Sequence, residues 1–359
     1  MVQTSHGPLA GVRIVEFDSN ANVPLTGMLL ADLGCDVVRI RRPGPDGGAV
    51  VPLIYRGRSD IVLDLNDPDA RAQALELIAL ADGVIEGFAP GTLDSIGLGP
   101  ARCFAANPRL VYGRMSGWGQ TGPFSTSAGY DINYLSITGA LHAIGTTVTP
   151  VPPLGMVAEF SGGALFMALG LVSGILASQA TGHGQVIDAA QSEGVAVMMT
   201  LYYSLFGAGR WADRRAANLT DGGAPFYRCY ACRDGRHVAV GALEPAEFSS
   251  LCQGLKIKPS RFQQYDRRGW DEMAAAFADI FATRTRDDWA EHFLDRGACV
   301  TPVLSLAEAP NHPHNRARAT FGTPLGPLQP MPAPRFSETP LQVVPQEEAS
   351  VHEVLARWR

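Results

Sequence analysis

Three carboxylates and a glycine-rich loop are the parts of this sequence best placed to do chemistry. Glu159 precedes Ser161-Gly162-Gly163 and an apolar helical run. A helix dipole there would favour its charge, and nearby amides could steady an oxyanion, although a carboxylate that only caps the helix fits the same residues. Asp131 follows Tyr130 and opens an apolar-periodic stretch, Ile132 to Ile144, so it carries the same two readings, site residue or cap. Glu244 stands before Pro245 at a helix start, where a cap or turn is again the plain alternative. Gly117-Trp-Gly-Gln-Thr-Gly-Pro123 follows a strand, and the backbone at Gly117 and Gly119 could approach a ligand closely.

Other reactive side chains offer less. His142 on the helix after Asp131 is a spare imidazole or a packing residue, and His312-Pro-His314 lacks carboxylate or thiol partners at metal-binding spacing, so no metal is expected. Cys229 and Cys232 form the one C-x-x-C, inside Phe226 to Ala242, which reads as two strands around an Asp234-Gly235 turn. Their odd spacing points them to opposite faces, with no second pair to complete a zinc site.

The elements that must carry these groups follow from hydrophobic pattern. Val12 to Phe17 reads as a buried strand, Leu25 to Leu33 as a helix and Asp36 to Ile40 as a second strand. Further strands are expected at Ile61 to Leu65, Val84 to Glu86 and Leu110 to Met115, with a helix from Pro68 to Ala81. This order predicts an α/β fold with a doubly wound, Rossmann-like parallel sheet, yet no G-x-G-x-x-G or P-loop accompanies it. Two apolar helical runs between Gly162 and Gly209 expose more apolar surface than one sheet covers, which suggests contact between subunits. The stretch Ala164 to Ala177 is shorter than the roughly 20 residues a bilayer requires and reads as a buried helix. The expected division is a large domain over 1–190, linker helices over 191–224, a small α+β domain over 225–305, and a return to the large domain over 306–359.

Composition sets outer limits. With 359 residues, 46% of them hydrophobic and 18% charged, the chain can bury a substantial core. A net charge of −6 and a pI near 5.8 argue against nucleic acid or an anionic membrane surface as partner. Six cysteines and an opening without a charged, apolar leader point to a reducing cytoplasm.

Several stretches, taken together, resemble the α-methylacyl-CoA racemases of the family III CoA-transferase superfamily. They are Asp32-Leu-Gly-Cys-Asp-Val-Val-Arg-Ile40, the Gly117 loop, Asp131-Ile-Asn-Tyr134, Asp221-Gly-Gly-Ala-Pro225, Ala298-Cys-Val-Thr-Pro302 and Met331-Pro-Ala-Pro-Arg-Phe336. The resemblance implies a Rossmann-like large domain, a smaller domain reached through two linkers, and an interlocked homodimer with its active site between subunits. It implies proton removal beside a thioester carbonyl, an enolate, and proton return on the other face, which needs two opposed acid-base groups. Coenzyme A enters only as part of the thioester substrate, with no tightly bound cofactor.

Carried over residue by residue, the family's histidine position is Tyr130, its aspartate position is Glu159 and its small-domain glutamate is Glu244. Glu159 would be one acid-base group and Tyr130, a phenol with an ordinary pKa of about 10, the opposed proton donor. Arg39, Arg41, Arg42, Arg56 and Arg58, near the ends of early strands, could meet the phosphates of coenzyme A, or they could be solvated surface groups. Racemases usually carry an arginine where this chain has Ala89 in Gly87-Phe-Ala-Pro-Gly91. Two alternatives accompany this expectation: a CoA-transferase with Asp131 as nucleophile, since transferases of the superfamily often show Gly-Tyr-Asp here, and a non-catalytic acyl-CoA-binding relative.

Overall fold

The structure is a computed structural model that describes residues 6–19, 22–44 and 52–359. The chain forms two compact units, one from residues 1–138, 154–198 and 318–359, the other from residues 139–153 and 199–317.

In the first unit, β1 (Arg13–Phe17), β2 (Asp36–Arg41), β3 (Arg58–Val62), β4 (Gly83–Glu86), β5 (Val111–Ser116) and β6 (Gln185–Ala190) join a two-residue strand, Glu347–Glu348, in a seven-stranded sheet. From one edge the order is Glu347–Glu348, β3, β2, β1, β4, β5, β6, and every neighbouring pair is parallel. The strands are apolar because helices cover both faces. On one side Ile14, Val37 and Ile85 pack with Leu30 of α1 (Asn22–Asp32) and with Met167, Leu171 and Ile175 of the helix Phe166–Thr181. On the other, Val15, Phe17 and Val38 meet Ala74 and Leu77 of α2 (Pro68–Leu80), together with Val354 and Leu355 near the C-terminus. The side chain of Asp67 accepts the Asp69 amide at 3.0 Å, and Pro68 fills the first helical position, so α2 starts where its sequence dictates.

Four expectations change. β3 begins at Arg58 rather than Ile61, because Arg58 is buried in an ion pair with Glu16 that lets a charged residue enter the sheet. β6 was not anticipated: its Gln-Val-Ile-Asp start lacks an apolar run, as suits an edge strand paired only with β5. The helix expected over Ile132 to Ile144 is two short ones, Asp131–Ser136 (α3) and Ala140–Ala143, separated by Gly139 at φ +79°, a left-handed conformation that ends helical pairing. Finally, the helix expected over 164–177 is part of a 28-residue helical run, Leu154–Thr181, long and apolar enough by length and composition to cross a membrane. It is buried along one face only, and Leu165, Leu169 and Leu176 lie exposed on the other.

In the second unit, β7 (Tyr227–Ala231), β8 (His237–Gly241) and β9 (Val300–Pro302) form an antiparallel sheet against an aromatic core that includes Phe226, Phe277, Phe281 and Trp289. The Asp234-Gly235 turn joins β7 to β8; Cys229 is exposed and Cys232 buried, the opposed placement their spacing requires.

Candidate active site

A cavity of about 470 Å³ opens in the first unit at the carboxyl ends of β1, β4 and β5. Asn22 and Val23 follow β1, Gly87 to Pro90 follow β4, and Met115 and Ser116 end β5 before Gly117 and Trp118. In the sheet order the chain reverses direction between β1 and β4, and ligands of open parallel sheets collect at such a crevice. The loop from Ser125 to Tyr130 forms the rim, and Tyr134, Glu159 and Gln191 complete the lining.

Tyr130, Asp131 and Glu159 are brought together. Asp131 is 7% exposed, and its Oδ2 accepts the backbone amides of Ala158 at 2.8 Å and Glu159 at 2.9 Å. It therefore caps not its own helix but the π-helical segment Val157–Leu165, whose first turn presents those amides. In return, the Asp131 amide steadies the charged form of the Glu159 carboxylate. The Asp131 carboxylate thus ties the two helix starts together. The Ala158 and Glu159 amides therefore hold Asp131 rather than standing open to an oxyanion, and the Glu159 carboxyl lies above its ordinary range. Burial raises it most, the Asp131 amide opposes this, and the Asp131 charge adds to the rise.

Tyr130 is 75% exposed at the rim, held by its own amide, which donates to Asn133 Oδ1 at 3.1 Å. The Tyr134 phenol donates to the Gly129 carbonyl and is raised by burial and by the charges of Glu159 and Tyr130, which places it within electrostatic reach of both. Gly117 explains how Tyr134 fits: a Cβ at Gly117 would come 2.0 Å from the tyrosine ring. Gly117 thus makes room for a side chain, while Gly119, at φ +88°, turns the loop outside the cavity and donates its amide to Ser116 Oγ at 2.9 Å. The Ser161-Gly162-Gly163 step serves a close helix approach, since a Cβ on Gly162 would meet the Gln191 carbonyl at 2.8 Å.

Glu86 steadies the wall after β4. Its Oε2 accepts the Phe88 amide at 2.8 Å, and burial pushes its carboxyl up to about 7, against that hydrogen bond and the nearby Arg114.

Three of the five arginines expected to meet coenzyme A are tied up in the core. Arg39 is 3% exposed and forks onto Asp60; Arg56 binds Asp32 at 2.6 Å; Arg58 binds Glu16 at 2.7 Å and the Ile54 and Pro24 carbonyls. The sheet register places Glu16, Arg39 and Asp60 side by side on β1, β2 and β3, so these guanidiniums serve as internal counter-ions. Arg42 is exposed, its guanidinium 5.8 Å from the Phe88 ring centroid. Glu244 belongs to the second unit, where its amide donates to Glu247 Oε2 at 3.1 Å as the helix Pro245–Gly254 begins. His142 is also in that unit, 3.3 Å from Asp213. Among the described residues no group of three or more His, Cys, Asp or Glu is arranged to hold a metal ion. Tyr134, Trp118 and Gln191 went unremarked as site residues because an aromatic or amide in an apolar segment reads as packing.

A half-buried, raised carboxyl and two phenols thus stand around a cavity at the strand ends of a parallel α/β sheet. The chain belongs to the CoA-transferase family III, which it matches over residues 9–347. It is 40% identical over 348 residues to the α-methylacyl-CoA racemase of Mus musculus, covering 96% of this chain and 91% of that one. With the α-methylacyl-CoA racemase of Homo sapiens it shares 40% over 335 residues, 92% and 87% of the two chains. The acetyl-CoA:oxalate CoA-transferase of Acetobacter aceti is 29% identical, with 87% and 85% covered. A crystal structure of a CAIB/BAIF family protein from Brucella suis superposes with a TM-score of 0.83 at 23% identity, covering 98% of each chain.

Proposed function

We propose that this protein is an acyl-CoA racemase-like isomerase acting on 2-methyl-branched acyl-CoA. The observation that carries this reading is the Glu159 carboxyl in the cavity wall, raised by burial, on a backbone whose amide is held by Asp131, in a chain 40% identical to relatives named α-methylacyl-CoA racemase. A carboxylate whose proton affinity is raised is a better base toward a carbon acid while still ionised near neutrality. Glu159 removes the α-proton, negative charge moves to the thioester oxygen, and Tyr130 at the rim donates a proton to the other face of the carbon. Glu244 is the supporting carboxylate of the family pattern. A homodimer on a Rossmann-like large domain is part of the proposal, supported by the exposed Leu165, Leu169 and Leu176 on one helix of the first unit.

The transferase alternative asks Asp131 to attack a thioester, but one of its oxygens already holds two amides and the residue is only 7% exposed. Both readings meet in one experiment: 2-methylacyl-CoA in heavy water without an acceptor acid, followed by mass spectrometry. Deuterium at the α-carbon, surviving in Asp131→Asn and absent in Glu159→Gln, is the expected result. No deuterium, with a hydroxylamine-trapped acyl group at Asp131, would replace it by CoA transfer.

A further inference from the structure

The turn that leads into Glu159 is held at several points. Leu154 has φ +59°, a backbone conformation that a bulky side chain rarely adopts. Gly155 follows at φ −77° and ψ 18°, and the carbonyl of Met156 accepts the Ser161 hydroxyl at 2.7 Å. That bond spans five residues, as the backbone bonds of the π-helical segment Val157–Leu165 do, and it ties the turn to the segment. Asp131 at the same time holds the Ala158 and Glu159 amides. The backbone beneath the Glu159 side chain is therefore fixed, and the place of its carboxyl depends on the space around the side chain.

Helical side chains lean toward the N-terminus and cover the residue about one turn earlier. Glu159 leans in this way onto Gly155, four residues before it: a Cβ at Gly155 would stand 3.1 Å from Glu159 Oε2 and 4.0 Å from Cδ. Among the described residues, chain neighbours and the helix backbone aside, nothing else comes within 4 Å of that point. The φ of Gly155 is open to any L residue, so its missing side chain serves the carboxyl and not the backbone. We propose that Gly155 is a positioning residue for proton transfer: the space left by its absent side chain seats the Glu159 carboxyl and sets the bearing from which that group meets the α-carbon. The inference rests on the reading of Glu159 as the base and adds to it the residue that places it. A methyl at Gly155 would move the carboxyl rather than the backbone, because the tip of a flexible side chain yields first, and the open side is the cavity that Glu159 lines. A misplacement of about 1 Å costs roughly 10²-fold in rate, so half of that costs about tenfold.

The test is Gly155→Ala in the full-length protein, with one readout that needs no activity. Glu159 is titrated by carbon-13 NMR of glutamate-labelled protein, its signal identified by its loss in Glu159→Gln. The kcat and KM of α-deuteration are measured with 2-methylbutanoyl-CoA on the high-pH plateau. Burial raises the wild-type carboxyl; in Gly155→Ala its titration should fall by about 0.5 or more in pH toward the ordinary glutamate position, as the group moves toward water. Alongside, kcat should fall about tenfold with KM held within about twofold. The urea midpoint should hold or rise, since alanine narrows the unfolded ensemble. A titration that stays or rises would overturn the proposal whatever the rate does, and so would a lowered titration with wild-type kcat. A lowered titration where neither the wild type nor the variant deuterates the thioester would overturn the racemase reading alone, with Gly155 still the seat of the carboxyl.

Discussion

Two groups of buried polar side chains lie along the same sheet and differ in one respect. In the cluster around β1, β2 and β3, every guanidinium nitrogen of Arg39, Arg56 and Arg58 has a partner, among them Asp60, Asp32, Glu16 and backbone carbonyls, while Glu16 Oε1 is buried without one. Around the cavity the Glu159 carboxyl is raised by burial and opposed by the Asp131 amide rather than by an arginine, whereas Arg58 and Arg56 oppose the rise that burial gives Glu16 and Asp32. Charges matched to guanidiniums hold strands together; a raised carboxyl in a cavity wall is left for a ligand to meet. Burial of a polar group alone therefore says little about function, and what opposes its burial says more.

The contrast can be broken from either side. Arg58→Met should have the largest effect: it leaves Glu16 buried without its counter-ion and should lower stability in urea by about 3–5 kcal/mol. Retention of wild-type stability would show the cluster to be dispensable. Glu159→Gln should do the reverse, reducing α-deuteration by about 10²–10⁴-fold while the urea midpoint stays close to wild type. In the wild type the exchange rate should climb with pH through a carboxyl transition lying above the ordinary range, because burial raises Glu159 and only its ionised form accepts the proton. A transition at the ordinary glutamate position would remove Glu159 as the base.

Gly117→Ala forces a methyl against the Tyr134 ring, and a loss of about 1–3 kcal/mol is expected in thermal or urea unfolding. An effect no larger than this, and confined to high pH, is expected at Glu86. Its folded pKa of about 7 exceeds its ordinary 4.5, so the folded protein binds the proton more tightly, and the stability this brings at low pH is lost as pH rises through 7. Glu86→Gln should match wild type near pH 4 and exceed it at pH 8 by about 1–3 kcal/mol. Equal unfolding curves at pH 8 would mean that Arg114 already neutralises the charge.

Local sequence determined a good deal of this protein. The apolar runs of β1, β2, β4 and β5 announced a covered parallel sheet, Asp67-Pro68 fixed the start of α2, and Asp234-Gly235 fixed the hairpin. Each of these is set by neighbours within a few residues, where period and turn chemistry act. The carboxylates Asp131 and Glu159 were legible as candidates for the same reason, as acids at helix starts. What their partners would be was not. That Asp131 caps a helix 27 residues away, that three arginines lie in the core, and that Gln191 lines a cavity depend on side chains distant in sequence. Only the tertiary structure decides which buried charges are met by a counter-ion and which carboxyl is left raised, because both desolvation and pairing belong to the packed environment rather than to the residue.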